Sequence, residues 1–216
     1  MQTARYPIFA PEGRLHLVLV LCLGSLATWQ LGWWSAPVWL LVLFVIQFFR
    51  DPPRLVSEKP GDVVAPASGK VVFIGEEENP YLKGRPRMRK ISIFMNVFSV
   101  HSNLIPVGGS IRDCSYHRGS FFNASLDKAS ASNERNAVWI HTDEGKDVVA
   151  VQIAGLIARR IFCYVRTGDE VKTGQRYGFI RFGSRVDLYL PESAALQVTL
   201  NQWVASGNDV IGNLGT

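Results

Sequence analysis

Gly178-Phe-Ile-Arg-Phe-Gly-Ser-Arg-Val-Asp-Leu-Tyr-Leu190 is the stretch from which this chain is best read. Phe179, Phe182, Val186, Leu188 and Leu190 are apolar, and the second half alternates with a period near two, the mark of a strand with a buried face. One small pair, Gly183-Ser184, interrupts it. Glycine inside a strand marks a bulge or a close backbone approach. Serine directly after it sets a hydroxyl beside a peptide bond that lacks side-chain shielding. Such a hydroxyl can attack the preceding carbonyl. The same pair is also what a tight bend looks like, and these residues alone leave both readings open.

Outward from this strand, the chain from Val63 onward reads as mostly β. Val63 to Gly75 is a strand, a turn and a strand. Lys90 to Val100, Ser110 to Arg118, Ala137 to Thr142, Val148 to Ile153 and Arg160 to Val165 are further strands. Thr167 to Gly178 holds two turn signals around a short strand, and Leu196 to Val204 is expected to add a last one. Glu76 to Lys90 reads as a polar loop ending in the basic run Arg85-Pro-Arg-Met-Arg-Lys90, expected to be solvated or to face lipid headgroups. Short strands at close spacing imply a sandwich or flattened barrel. The predicted fold class is mainly β, preceded by a hydrophobic helical hairpin.

That hairpin comes from the N-terminal fifth. From Leu17 to Phe49 there is no Asp, Glu, Lys or Arg. A single straight helix of that length would run roughly 50 Å, against a bilayer core of about 30 Å. Trp33-Trp34-Ser35-Ala36-Pro37 breaks it, since proline interrupts a helix and tryptophan favours the membrane interface. Two helices are expected, about 15–32 and 37–49. Arg5 and Arg14 flank the first, Arg50 and Arg54 the second, so the excess of basic residues places both ends in the cytoplasm. The second helix is short for a full span, and a shallow re-entrant hairpin is the alternative. The expected division is a membrane-anchoring segment at 1–54 and a β-rich domain at 55–216.

The formal net charge of +5 fits an acidic partner, either nucleic acid or an anionic membrane surface, and the apolar run favours the membrane. Cys22, Cys114 and Cys163 are odd in number and scattered, which suits a reducing compartment without a disulfide framework. The four histidines lie far apart, and no Cys-x-x-Cys or His-x-x-x-His spacing offers a metal site.

Gly178 to Asp187 resembles the processing site of the short, membrane-bound phosphatidylserine decarboxylases. Phe48-Phe-Arg-Asp-Pro52, Ile91-Ser-Ile-Phe-Met-Asn-Val-Phe-Ser-Val-His101, Asn133-Glu-Arg-Asn136 and Ala154-Gly-Leu-Ile-Ala-Arg-Arg160 are similar to further blocks of that family, in the same order. The resemblance covers about residues 40 to 192. It implies self-cleavage between Gly183 and Ser184 into chains 1–183 and 184–216, which stay together as a heterodimer. It also implies conversion of Ser184 to a covalent pyruvoyl cofactor, which acts as the electron sink through a Schiff base with phosphatidylserine and yields phosphatidylethanolamine. The implied location is the cytoplasmic face of a bacterial inner membrane, with anionic lipid as partner and no nucleic acid.

The same resemblance assigns residues. His101 aligns with the family's active-site histidine, implying activation of Ser184 and later proton donation. Asn133-Glu-Arg-Asn136 is expected either as a capped turn entering a strand or with Asn133 or Arg135 near the lipid phosphate or carboxylate, where arginine offers bidentate geometry. Arg159-Arg160 are expected either there or in solvent. Arg50 and Arg54 are expected at headgroup depth, either snorkelling or holding anionic lipid. Arg185 and Asp187 flank the junction and are expected to pair. One departure stands out: Pro66-Ala-Ser-Gly69 has Ser68 where the family commonly carries Asp. An Asp there would orient the histidine and stabilise its charged form, so a slow or inactive relative is a second reading. Gly168-Asp-Glu-Val-Lys-Thr-Gly174 also resembles part of the lipoyl or biotinyl carrier fold, without the Glu-x-Met-Lys of those carriers. A membrane-anchored carrier or adaptor is the third reading.

Overall fold

The uncharged N-terminal run folds as two helices that turn back on each other, α1 (Arg14–Leu31) and α2 (Ala36–Phe48), joined by a 3-10 turn at Gly32–Ser35. The reversal begins at Gly32, whose φ of 53° is left-handed and favours glycine. Pro37 lies in the first turn of α2, where its missing N–H costs no hydrogen bond. The Trp39 indole packs over Gly24 and its Nε1 donates to Thr28 Oγ1 at 3.0 Å. At the open end Ala10 N donates to Phe49 O at 2.7 Å, and the Phe49 ring fills the place that a side chain at Gly13 would occupy. Trp33 and Trp34 stand fully out at the tip. The helical run Pro11–Phe48 is long and apolar enough to cross a membrane. Folded as a hairpin, its arms measure about 27 and 20 Å at 1.5 Å per residue.

This computed structural model describes residues 2–4 (backbone only), 7–57, 59–121, 132–155, 160–181 and 183–215. Arg5, Arg159 and Phe182 lie outside the described residues. Two compact units result, Arg5–Pro53 and a second made of Met1–Ala4 with Arg54–Thr216.

The second unit is almost wholly β. Its strands are β1 (Gln2–Ala4), β2 (Arg54–Val56), β3 (Asp62–Val64), β4 (Gly69–Glu78), β5 (Arg87–Met95), β6 (Ser102–Leu104), β7 (Gly109–His117) and β8 (Arg135–His141). They continue with β9 (Asp147–Ala154), β10 (Ile161–Cys163), β11 (Glu170–Val171), β12 (Arg176–Ile180), β13 (Ser184–Leu190), β14 (Ala195–Leu196), β15 (Trp203–Val204) and β16 (Val210–Asn213). Eight of them form one curled sheet in the order β11-β7-β8-β9-β13-β5-β4-β15. Two three-stranded sheets, β10-β12-β6 and β14-β16-β3, and the pair β1-β2 complete the unit.

β13 lies inside the large sheet, antiparallel to β5 and β9, and every residue in it is buried. Val186, Leu188 and Leu190 join Ile91, Ile93, Met95, Val148 and Ala150 in the main core. Tyr189 points the other way, into a second cluster with Ala137, Val149, Val151, Ile153, Leu82 and Met88. Burial on both faces explains why the alternation in this strand reads clearly only in part.

Three sequence expectations need correction. The region from Glu76 to Lys90 is strand at both ends around a loop at 79–86, because the acidic end of β4 pairs with the basic start of β5: Glu76 opposes Arg89 and Glu78 opposes Arg87. The basic run is therefore not a uniformly solvated face, and Lys90 is buried. Leu196 to Val204 is not one strand but the ends of two short ones, and β16 follows them.

Candidate active site

β13 starts at Ser184, directly after the interruption noted in the sequence. Gly183 has a φ of 66°, and among the described residues, its chain neighbours aside, no atom would lie within 4 Å of a Cβ there. Backbone conformation, not space, calls for glycine, since a left-handed L-residue costs about 1–2 kcal/mol. Ser184 is held from both sides, facing Met95 in β5 and Ala154 in β9. It shares the inner face with Val186 and Leu188 and is fully buried. Its Oγ has no hydrogen-bond partner among the described residues. Leaving a buried hydroxyl unsatisfied costs about 1–3 kcal/mol. This one directly follows the carbonyl of the left-handed Gly183.

A line of buried amides runs next to it. Asn133 Nδ2 donates to Ala154 O at 2.7 Å, so Asn133 fixes the residue paired with Ser184. Gln152, two residues before Ala154 on the same face, donates through Nε2 to Asn103 Oδ1 at 2.9 Å and to Phe162 O at 3.2 Å. Its Oε1 accepts from Asn136 Nδ2 at 3.2 Å. Asn103 Nδ2 reaches Met95 Sδ at 3.8 Å. Satisfied buried networks of this kind fix one arrangement of their neighbours.

His101 is fully buried and precedes β6, where the sequence places a strand end. Its carbonyl accepts from Ile180 N at 3.3 Å and its ring centroid lies 6.2 Å from that of Phe179. β6 pairs with β12, the strand that runs into Gly183, so the segments bearing His101 and the junction are neighbours.

Ser68 Oγ and Ser206 Oγ share a hydrogen bond of 2.9 Å, and Ser206 N donates to Ser68 Oγ at 2.9 Å. Arg54 reaches Ser206 Oγ through Nε at 3.4 Å and Ser102 Oγ through Nη2 at 3.0 Å. A relay therefore leads from Ser68 through Ser206 and Arg54 to the residue next to His101. Arg54 is buried within this relay, not splayed outward.

The other arginines separate. In the helical unit, Arg50 Nη1 donates to Gln47 O at 2.7 Å and caps the end of α2. Arg135 lies on the face of β8 that carries Ala137, opposite to the face of Ser184. Its Nη1 donates to Asn133 O at 3.3 Å. Arg185 and Asp187 do pair, with Nε–Oδ1 at 2.8 Å and Nη2–Oδ2 at 3.2 Å, and Lys90 Nζ joins at 3.4 Å. Burial pushes the Tyr189 hydroxyl up beside this cluster. On the inner side, Cys163 is pulled down to about 6 by the hydrogen bond from Cys114, whose own thiol is pushed up.

Sequence reading missed Asn103, Gln152, Ser102 and Ser206. The first two carried a signal: a lone Gln in the apolar run Val148–Ala154, and Ser102-Asn103 between apolar Val100 and Leu104.

The profile of the phosphatidylserine decarboxylase family matches residues 41–212. The chain belongs to this family. Among its relatives, the phosphatidylserine decarboxylase proenzyme of Nitrosomonas europaea is 51% identical over 208 residues, covering 95% of each chain. That of Nitrosomonas eutropha is 50% identical over 214 residues and 98% of each chain. That of Cupriavidus pinatubonensis is 48% identical over 211 residues, 97% of this chain and 96% of its own. Phosphatidylserine decarboxylases are carboxy-lyases, and membership over nearly the whole chain sets the carrier or adaptor reading aside.

Proposed function

We propose that this chain is a proenzyme that cuts itself between Gly183 and Ser184 and then converts phosphatidylserine to phosphatidylethanolamine. The observation that carries this reading is the buried Ser184 hydroxyl, without a hydrogen-bond partner among the described residues, beside a left-handed Gly183, in a family whose relatives are named proenzymes. His101 takes the Ser184 proton as the oxygen adds to the Gly183 carbonyl, and the C–N bond breaks to leave an ester. Loss of the Ser184 α-proton then expels Gly183 as a carboxylate, leaving a dehydroalanine. Water replaces its nitrogen, ammonia leaves, and a ketone caps residues 184–216.

The dry, amide-lined inner face suits such a small carbonyl at position 184. When present, it supplies the electron sink that no natural side chain offers. The chain's own residues do the rest: His101 returns a proton to the substrate carbon, Asn133 orients the strand opposite and contacts the headgroup, and the Ser68–Arg54 relay positions the His101 segment. Arg135 supports Asn133 through its carbonyl, and Arg50 holds the end of the anchor.

The two products of the cut remain a heterodimer. β13 is hydrogen-bonded on both sides to strands of the larger piece, and β15 and β16 pair with β4 and β3. The helical hairpin seats the enzyme in the cytoplasmic leaflet of the cell membrane, where anionic phosphatidylserine is drawn to its basic flanks.

Denaturing electrophoresis with intact-mass measurement tests this. Active protein yields a large fragment ending at Gly183 and a small one with a blocked first residue, whereas Ser184→Ala stays a single 216-residue chain and releases no carbon dioxide. Active protein whose 183–184 bond is intact overturns the proposal.

A further inference from the structure

Two of the three cysteines meet in the fold, on residues that neither the cut nor the relay uses. Cys114 lies on β7 of the large sheet and Cys163 on β10 of the β10-β12-β6 sheet. Their sulfurs lie against one carbonyl, Val165 O, at 3.7 Å for Cys114 and 3.5 Å for Cys163. Cys114 also donates directly to the Cys163 sulfur. Both are free thiols, and both are only half-buried, so a small solute can reach them.

The pair is unequal. Donors converge on the Cys163 sulfur: the Cys114 thiol first, then the Val165 backbone and the Asn136 amide. They hold its pKa at about 6 against the effect of burial, so the thiolate prevails at neutral pH. The Cys114 thiol is kept protonated by its hydrogen bond to Cys163, with burial and the Cys163 charge adding to the effect. A thiolate is the form that attacks a disulfide, and a neighbouring thiol completes the exchange.

The pair also touches the amide line. Asn136 joins Cys163 to Gln152: its side chain hydrogen-bonds the sulfur, and its Nδ2 donates to Gln152 Oε1 at 3.2 Å. In the ladder Cys163 faces Gly178, where an added Cβ would lie 2.4 Å from Gln152 Nε2. Close packing transmits small displacements. A movement of Cys163 therefore reaches Gln152, and through it Asn103.

We propose that Cys114 and Cys163 form a reversible dithiol switch, closed by small disulfides such as oxidised glutathione, and that closure slows the enzyme. The Cys163 thiolate attacks one sulfur of the small disulfide and expels the other half as a thiolate. Cys114 then attacks the Cys163 sulfur and expels the second half, which takes the Cys114 proton. The pair loses two electrons, and the small disulfide becomes one thiolate and one thiol. The new bond sets the sulfurs at about 2.05 Å, well inside hydrogen-bond separation. β10 is thereby drawn toward β7, and Asn136 loses its anionic acceptor. The slowing rests on the proposed function; the bond does not.

The test uses the full-length protein in detergent micelles, equilibrated in glutathione buffers of rising oxidised fraction and quenched by alkylation. Tryptic peptides 113–118 and 161–166 are expected to appear joined, with Cys22 outside the link. Cys114→Ser is expected to carry glutathione on Cys163, whereas Cys163→Ser leaves Cys114 unmodified. Closure is expected to lower kcat for phosphatidylserine about tenfold, in step with the joined peptide, because small misplacements near a reacting group are costly. Dithiothreitol is expected to restore it. Absence of the joined peptide at every ratio overturns the proposal. So does glutathione on Cys114 in Cys163→Ser as readily as on Cys163 in Cys114→Ser. A joined peptide with unchanged turnover overturns the switch and leaves a structural pair. A reduced wild type that neither cuts itself nor decarboxylates overturns the proposed function, and the slowing with it, while the joined peptide still decides the bond.

Discussion

Asp187→Asn tests most directly how β13 is held. The carboxylate is fully buried between two buried cations, with Arg185 on both of its oxygens at 2.8 and 3.2 Å and Lys90 at 3.4 Å. Asparagine has the same shape and keeps one acceptor, so packing hardly changes. What goes is the negative charge. Removing one member of a buried pair costs about 3–5 kcal/mol, because the remaining charge stays desolvated. Lys90 also meets Glu77 at 2.8 Å, which offsets part of the loss and puts the expected cost near the lower end, about 3 kcal/mol. For a chain of this size that is a fall in midpoint of roughly 6–12 °C. The assay is thermal unfolding followed by near-ultraviolet circular dichroism in detergent, with Ser184→Ala as background so that one unbroken chain unfolds. Glu77→Gln is the control: its side chain is 42% exposed, and its loss should cost no more than about 1 kcal/mol. If Asp187→Asn costs as little as Glu77→Gln, the buried cluster does not hold the strand and the reasoning is wrong.

Two further outcomes follow from the site. At Gly178→Ala the new methyl would lie 2.4 Å from Gln152 Nε2 and 2.5 Å from Phe162 O, so either the amide line or the β10 ladder must shift. We expect destabilisation of about 1–3 kcal/mol in chemical denaturation, with slower appearance of the two fragments; wild-type stability and cleavage would mean that the amide line tolerates displacement. Ser68→Asp places a carboxylate in the relay to Arg54 and Ser102, and we expect faster self-cleavage in a time course on denaturing gels; an unchanged rate would show that the relay does not feed His101.

Much of this architecture is legible in the chain itself. The uncharged run and its Trp-Trp-x-x-Pro break announce the hairpin, and the alternation after Ser184 announces β13. The failures share a cause. Glu76 to Glu78 and Arg87 to Lys90 look like solvent-facing charge because each was judged alone. Opposed in a ladder, they neutralise one another, and cross-strand partners cannot be read locally. Ser102 to Leu104 is too short and too polar to carry a period, and its strand exists through pairing with β12. Arg54 meets Ser206 across 152 residues, a contact that local pattern cannot encode. Ser184 stands out in the sequence as a break in a strand, and the resemblance adds His101 as an expectation, whereas Asn103 and Gln152 show only as polar residues in apolar company.

The self-cleavage proposed for Ser184 would set two demands that oppose each other. A residue that attacks its own backbone needs an orientation fixed to a fraction of an ångström, which favours a strand paired on both sides. It also needs a peptide bond able to distort as its carbonyl carbon becomes tetrahedral, which a continuous ladder resists. The first residue of an internal strand meets both. From Ser184 onward, pairing with Met95 and Ala154 fixes the hydroxyl. Immediately before it, Gly183 leaves the extended region at a φ of 66°, and a Cβ there would meet no atom within 4 Å among the described residues, its chain neighbours aside. Moving the pair a few residues into β13 would lock the carbonyl in the ladder. Moving it back into β12 would lock it between β6 and β10. The boundary between β12 and β13 is the position in this fold where rigidity on one side of a bond meets freedom on the other.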